Sequence, residues 1–180
     1  MKKPTPTVLL VALTALALSG TSYGREYFKI NFANNEKFDF IVGTWAGNIT
    51  PGPEFITVDT GPGGTDGGAG HDFSALDLTQ TPPEKTFLEI TARLLPTHGG
   101  TNIRLVLGSN PTDFSVWEAD VSKFNTETFT SVRIPLSTAP VYVAGNGANL
   151  AKVSNFQVVG DYSGNSDFDI QIESMAIVAE

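Results

Sequence analysis

The sequence predicts an all-β fold, a jelly-roll β-sandwich of two antiparallel sheets, on three observations. Apolar and polar residues alternate along several segments, which is typical of strands with one buried face. Clusters of Gly, Pro, Asn, Ser and Asp separate these segments at short intervals, as turns do. After the N-terminal apolar run, no window has the period of an amphipathic helix. Without helices to cover a parallel sheet, two antiparallel sheets packed face to face are expected.

The N-terminus has the order of regions found in a secretory signal peptide. Two lysines precede an apolar run from Val8 to Leu18, which is too short to span a bilayer, and small residues then precede Arg25. We therefore expect residues 1–24 to be a removed leader and residues 25–180 to be a single domain that is secreted or periplasmic. The alternative, a buried N-terminal helix, would lie beside a chain that otherwise predicts strands.

Composition excludes some partners. The chain has 11 Lys and Arg against 19 Asp and Glu, a formal net charge of −8. Nucleic-acid binding is not expected, because it requires clustered cations to neutralise phosphates. Cysteine is absent, so an exported fold would be stabilised by its core and by any bound metal, not by disulfides. No second long apolar run follows Arg25, so no membrane insertion is expected after removal of the leader.

Eight to ten short strands are predicted, all rich in aromatic and β-branched residues. In chain order the candidate segments are EYFKINF (26–32), KFDFIVGTW (37–45), EFITV (54–58), HDFSALDL (71–78), TFLEITARLL (86–95), NIRLVLG (102–108), DFSVWEADV (113–121), FTSVRIPLS (129–137), VSNFQVVGDY (153–162) and DFDIQIESMAI (167–177).

Four of these segments alternate regularly enough to predict which side chains are buried. The polar residues between the apolar ones are expected to face outward, among them Arg93, Arg104, Asp169, Gln171 and Glu173. The predicted core residues are Leu88, Ile90, Ala92, Leu94, Ile103, Leu105, Leu107, Val132, Ile134, Leu136, Phe168, Ile170 and Ile172.

The order of these segments resembles that of the galactose-binding-like jelly rolls, which include many carbohydrate-binding modules. The similarity runs from about Phe73 to Val178, through a strand of the FLEITARLL type, its paired strand, the FTSVRIPLS segment and the closing FDIQIESMAI strand. It is a similarity of strand order and not of catalytic motifs. It implies a jelly-roll fold and binding of a poly- or oligosaccharide.

The stretch GGAGHD, Gly67 to Asp72, matches the start of a calcium-binding repeat. That repeat needs a large apolar residue two positions after its Asp, where this chain has Ser74, and it must recur to build a site. A phosphate-binding loop is also excluded, because no strand–turn–helix unit surrounds the stretch. The sequence predicts a glycine-rich loop leading into the HDFSALDL strand, with Asp66, His71 and Asp72 left as possible loop ligands.

The resemblance also implies a structural calcium ion. Many of these jelly rolls hold calcium near the pairing of the first and last strands, with an acid of the closing strand among the ligands. Glu173 stands at that position, although Asp is the usual residue. Calcium takes about six to eight oxygen ligands, so backbone carbonyls and an early residue such as Asn31 would have to join. The alternative is that Glu173 is a solvated surface residue.

The segment GDYSGNSDFD offers a second possible calcium loop, with polar residues at alternate positions from Asp161 to Asp167. It lacks the glycine at position six, and Ile172 stands where a bidentate Glu belongs. A hairpin turn accounts for the same residues and is the preferred interpretation.

Sugar binding by such a sandwich would use aromatic rings against pyranose faces and polar side chains to the hydroxyl groups. In DFSVWEADV, Trp117 alternates with Phe114 and Val116, so one set faces outward. If Trp117 faces outward, it can share a polar face with the outward residues of neighbouring strands. Two more aromatic residues are expected in loops at the rim of the sandwich. The alternative places Trp117 in the core. The predicted ligand-binding residues are Trp117, Arg93, Arg104, Asn155, Gln157, Trp45 and Tyr142.

Catalysis is not predicted. The chain has no Cys nucleophile, no G-x-S-x-G elbow and no H-E-x-x-H motif, and its two histidines are His71 and His98. The leading hypothesis is a non-catalytic, exported carbohydrate-binding protein. Two alternatives are a structural or adhesive surface protein with no free-sugar site, and a jelly-roll enzyme that degrades polysaccharides.

Overall fold

In the part of the chain that the structure describes, twelve strands form where alternating and β-branched segments can pair. The structure, a computed structural model, describes residues 24–42, 48–60, 67–160 and 167–180. In chain order the strands are β1 (Arg25–Asn31), β2 (Phe40–Val42), β3 (Asn48–Pro51), β4 (Ile56–Asp59), β5 (Gly68–Leu76), β6 (Thr86–Leu94), β7 (Asn102–Gly108), β8 (Phe114–Asp120), β9 (Thr130–Pro135), β10 (Tyr142–Ala144), β11 (Val153–Gly160) and β12 (Asp169–Ala179).

The strands form two six-stranded sheets, in which every pairing is antiparallel. Sheet A has the order β3-β4-β12-β6-β9, and β1 pairs with the other half of β12. Sheet B has the order β10-β8-β7-β11-β5-β2. Helix in the described residues is limited to four 3₁₀ turns of three residues each. The all-β prediction of two antiparallel sheets is therefore confirmed.

The core lies between the sheets and contains the residues that alternation predicted. Leu88, Ile90 and Ile172 of sheet A and Leu105 and Phe156 of sheet B belong to one cluster of fully buried side chains. Burying one such side chain contributes roughly 1.5–3 kcal/mol, so this cluster is the main source of stability in a chain without disulfides. Leu94, predicted to be buried, is only partly covered and packs at the margin of the cluster.

The first and last strands pair, as the resemblance implied. β1 runs antiparallel to β12 from Arg25, opposite Ala179, to Asn31, opposite Ser174. A register shift in β12 between Ile172 and Ser174 interrupts its pairing with β6 and places Glu173 at a β-bulge.

Asp169 is buried, contrary to the prediction that it faces outward. It is 2% exposed, and its Oδ1 accepts a hydrogen bond of 3.1 Å from the Thr60 backbone N–H. The turn after β6 covers this end of β12: the backbone N–H of Asp169 donates to His98 Nδ1 at 3.2 Å, and its carbonyl accepts from Leu95 N–H at 3.0 Å. Alternation does not reveal burial caused by a turn that folds back over the outer face.

The GGAGHD stretch also differs from its prediction, since β5 begins at Gly68 and the expected loop is partly strand. A Cβ on Gly68 would lie 2.3 Å from the carbonyl oxygen of Val158 on the neighbouring strand. Glycine is therefore required by close backbone approach within a sheet, not by a turn. β3 was not predicted at all, and it pairs with β4.

Several sequence predictions lie outside the described residues. These are the leader apart from Gly24, the rim residue Trp45, the possible ligand Asp66, and Asp161 to Asn165 of the second possible calcium loop. Among the residues that the structure does describe, no helix is long and apolar enough to cross a membrane.

Candidate binding face

Trp117 lies in the core, so the prediction that it forms an outward sugar platform is wrong. Its side chain is 4% exposed and belongs to the main core cluster. The indole Nε1 donates a hydrogen bond of 2.7 Å to the carbonyl oxygen of Thr138, which satisfies its one polar atom. Phe114 and Val116 occupy the opposite side of β8, in or against a separate small cluster.

The outer face of sheet B, the side opposite the core, is the candidate binding face. Strand register aligns its side chains in three rows that cross the sheet. Neighbouring strands are about 4.8 Å apart, so a row over five strands spans roughly 19 Å. The middle row is Tyr142, Val116, Val106, Gln157 and Gly70. The row on one side of it is Ala144, Phe114, Gly108, Asn155 and Asp72. The row on the other side is Glu118, Arg104, Val159 and Gly68.

One end of this face is apolar and carries an exposed aromatic ring. Tyr142 is 58% exposed, and its ring centroid lies 6.0 Å from that of Phe114. Val106, Val116 and Val159 form the small cluster beneath, against which Phe114 packs. An exposed tyrosine on an apolar base provides the flat surface that a pyranose ring can stack on. Tyr142 was predicted to lie in a rim loop; it lies instead on the edge strand β10.

The loop after β10 fixes the position of that edge strand. Asp113 Oδ1 accepts a hydrogen bond of 2.9 Å from the Asn146 backbone N–H, and its Oδ2 accepts one of 2.7 Å from Asn110 Nδ2. These bonds hold the pKa of Asp113 below its usual range, and the bond from the Asn146 backbone has the largest effect. Gly145 and Gly147 have φ values of +58° and +76°, which side-chain-bearing residues rarely adopt.

The other end of the face is a chain of hydrogen-bonded polar side chains. Gln157 Nε2 donates to Asn155 Oδ1 at 2.6 Å, and Asn155 Nδ2 donates to Asp72 Oδ1 at 2.7 Å. The Asp72 backbone N–H in turn donates to Asp39 Oδ2 at 2.8 Å, which lies 3.0 Å from His71 Nδ1. Fixed amide and carboxylate groups in a row can make directional bonds to hydroxyl groups.

Arg104 lies on this face as predicted, and it is paired with a neighbouring acid. Its Nε donates to Glu118 Oε1 at 2.8 Å, directly across β7 and β8. The two side chains are 25% and 22% exposed, so the pair remains accessible to a ligand while its charges offset each other.

Arg93 lies on the opposite side of the molecule, on the outer face of sheet A. Its Nε donates to Gln171 Oε1 at 2.6 Å, and its Nη1 donates to the Glu127 carbonyl oxygen at 3.1 Å. The guanidinium carbon also lies 5.5 Å and 4.9 Å from the ring centroids of Phe55 and Phe129. The prediction that Arg93 shares a face with Gln157 is wrong, because β6 and β11 belong to different sheets.

Sequence reasoning missed Phe114, Val116, Val106, Glu118 and Asp72 as components of the face. The signal was present for β8: if Trp117 is inward, alternation turns its neighbours outward. Nothing in the sequence indicates that Asp72 of β5 lies beside Asn155 of β11, because that pairing joins segments 83 residues apart.

The predicted calcium ligands lie near each other in register but do not complete a site through side chains. Asn31 pairs with Ser174, the residue after Glu173, and its Oδ1 already accepts a hydrogen bond of 3.0 Å from the Ala33 N–H. In the described part of the chain, no three or more His, Cys, Asp or Glu side chains are grouped as metal ligands. Calcium needs about six oxygens, so most would have to be backbone carbonyls or water.

Comparison with known proteins gives a likeness of fold. No family model and no curated protein matches the chain. An agarase structure is similar, with 10% identity and a TM-score of 0.59, and the match covers 87% of this chain and 24% of that one. An exo-beta-agarase has 12% identity and a TM-score of 0.57, with 88% and 25% covered. The chain therefore spans about a quarter of the length of either agarase.

A family 11 carbohydrate-binding module from Clostridium thermocellum, solved with a beta-1,3-1,4-mixed-linked tetrasaccharide, is also similar. It has 13% identity and a TM-score of 0.48, and the match covers 73% of this chain and 81% of the module.

Proposed function

We propose that the chain is an exported, non-catalytic carbohydrate-binding domain of the jelly-roll type, and that its ligand lies across the outer face of sheet B. The observation that carries the proposal is that one face holds both an exposed aromatic ring and hydrogen-bonded amides. The ring is that of Tyr142, which lies on an apolar base, and the amides are those of Gln157 and Asn155. An aromatic platform followed by directional polar groups suits a sugar chain, which has apolar ring faces and hydroxyl edges.

The neighbours in fold suggest which polysaccharides to try first. The two agarases point to agarose, and the module solved with a mixed-linked tetrasaccharide points to mixed-linked β-glucan. Affinity gel electrophoresis in each polymer would measure retardation of the chain against a non-binding protein. We expect retardation in at least one polymer.

Variants then test the face itself. Tyr142→Ala and Gln157→Ala are expected to abolish most of the retardation while the chain stays folded. Val143→Ala is a matched control for the first, because Val143 is a neighbouring exposed residue of β10 that alternates to the other side. Gln171→Ala is a matched control for the second, because Gln171 is a half-buried glutamine on the outer face of sheet A. Equal loss in variant and control would exclude this face.

The structural or adhesive alternative makes a different prediction. The apolar edge formed by Val141, Tyr142 and Val143 could contact another protein, and a folded chain that binds no polysaccharide would favour that function. Export is tested separately: mass spectrometry of the mature protein is expected to show an N-terminus near Arg25.

A further inference from the structure

The charges of the binding face restrict its ligand, provided that the face binds carbohydrate as proposed above. The charged side chains on or beside the described part of the face include Arg104 and Glu118 in one row, Asp72 in another, and Asp39 next to it. Three of these four are acids. Arg104 is the one cation among the described strand residues of this face, and Glu118 pairs with it at 2.8 Å.

The other cations of the described strands lie on sheet A. Arg25 and Lys29 belong to β1, Arg93 to β6 and Arg133 to β9. Arg93 is held by Gln171 and two phenylalanine rings, and Arg133 is paired with Glu89 and Glu180. Lys152 is exposed, in the turn before β11 and beyond the end of the rows. Among the described strand residues, no cation besides Arg104 therefore lies on the face to receive an anionic group.

The polar groups that remain are suited to hydroxyl ligands. A carboxylate such as Asp72 only accepts hydrogen bonds, and the amide oxygens and nitrogens of Asn155 and Gln157 accept and donate. A sugar hydroxyl does both and carries no charge. A sulfate or carboxylate group on the ligand has no proton to give to Asp72 and would be repelled by it, and by the net charge of −8 of the chain.

We propose that the ligand is an uncharged polysaccharide and that the face discriminates against sulfated or uronic-acid chains. The Arg104–Glu118 pair has a specific part in this selection. Because Glu118 offsets the charge of Arg104, this arginine offers a hydrogen-bond donor to a neutral sugar without creating an anion site.

The test compares neutral and charged forms of the same polymers. Affinity gels would contain agarose, mixed-linked β-1,3-1,4-glucan or xylan, each beside a chemically sulfated sample and a methylated sample with the same degree of substitution. The methylated polymer corrects for blocked hydroxyl groups. We expect sulfated polymer to bind at least about tenfold more weakly than its methylated counterpart, a difference of about 1.4 kcal/mol.

A charge variant tests the mechanism. Glu118→Gln removes the carboxylate charge beside Arg104, so the variant is expected to gain affinity for sulfated polymer, and this gain should disappear at high salt. Glu89→Gln is the control, because it removes one of the two acids that pair with Arg133 on sheet A. It is expected to show no such gain.

The outcomes separate the two proposals. Failure to bind any neutral or charged polymer would overturn the proposed function, and the selectivity with it. Binding of sulfated polymer as tight as or tighter than that of the methylated one would overturn the selectivity alone. A Glu118→Gln chain that behaves like Glu89→Gln would show that this ion pair does not control selection.

Discussion

Trp117 and Thr138 are joined by a hydrogen bond of 2.7 Å from the indole Nε1 to the backbone carbonyl, which ties β8 to the turn between β9 and β10. The ring of Trp117 fills the core between the sheets, and its polar atom anchors the segment that leads to the exposed edge strand. Trp117, which the sequence analysis predicted as a possible sugar-stacking residue, is therefore a core residue that connects β8 to the segment before β10.

Replacing Trp117 is expected to destabilise the fold strongly. Trp117→Ala would leave a cavity, at a cost of about 3–5 kcal/mol in the free energy of unfolding. Trp117→Phe keeps most of the apolar ring but loses the bond to Thr138, so we expect a smaller loss that includes roughly 1 kcal/mol for the hydrogen bond. Urea denaturation measures both. An alanine variant as stable as the wild type would contradict the buried position.

The buried carboxyl of Asp169 is expected to make stability fall as pH rises. Burial raises its pKa, and nearby Asp59 and Asp167 add to the effect. The folded state then holds the proton more tightly than the unfolded state, so stability decreases as pH rises from the ordinary value of about 3.9 through the raised value. Asp169→Asn keeps an acceptor for the Thr60 N–H and removes the ionisation. We expect this variant to gain stability relative to wild type at neutral pH and not in acid.

Unfolding midpoints in urea at about pH 4 and about pH 7 would test this expectation. Asp77→Asn is a control of opposite sign, because hydrogen bonds from Thr79 and Gln80 hold the pKa of Asp77 below its usual value. Such a group stabilises the fold above its unfolded-state pKa, so its removal is expected to cost stability at neutral pH. A similar pH profile for both variants would contradict the assigned causes.

Asp113 is expected to control the order of the edge strand that carries Tyr142. Asp113→Ala removes the acceptor for the Asn146 and Asn110 donors, so the amide of Asn146 should exchange its hydrogen faster and polysaccharide binding should weaken. Hydrogen exchange and affinity gels measure the two effects. Asp120→Ala is the control, because Asp120 is an exposed acid that also accepts a backbone hydrogen bond. Its Oδ1 accepts from the Ser122 N–H at the end of β8. Slow exchange at Asn146 in the Asp113 variant would show that the loop does not depend on this side chain.

The predicted calcium site can be tested by chelation. If Glu173 and Asn31 contribute to a calcium site, EDTA should lower the melting temperature of the wild type, because a ligand that binds only the folded state stabilises it. Glu173→Ala should lower the melting temperature in calcium and remove the response to EDTA. The same melting temperature with and without EDTA, for wild type and variant alike, would leave Glu173 as a surface acid.

The sequence by itself determined the all-β class and much of the core. Residues such as Leu88, Leu105 and Ile172 were identified as buried because a strand has two sides and period-two alternation separates them. Alternation failed for β8, where each of the two sets contains both large apolar and polar residues, so the pattern does not say which set faces the core. It failed at Asp169, where a turn covers the outer side of the strand.

Only the tertiary structure decided which residues share the binding face. Arg93 and Gln157 have the same outward pattern in sequence, yet they lie on opposite sheets. Asp72 and Asn155 are distant in sequence and meet through a hydrogen bond of 2.7 Å. The physical reason is that alternation is a property of one strand, whereas membership of a sheet depends on long-range backbone pairing. Side chains become neighbours on a face only after that pairing has set the register.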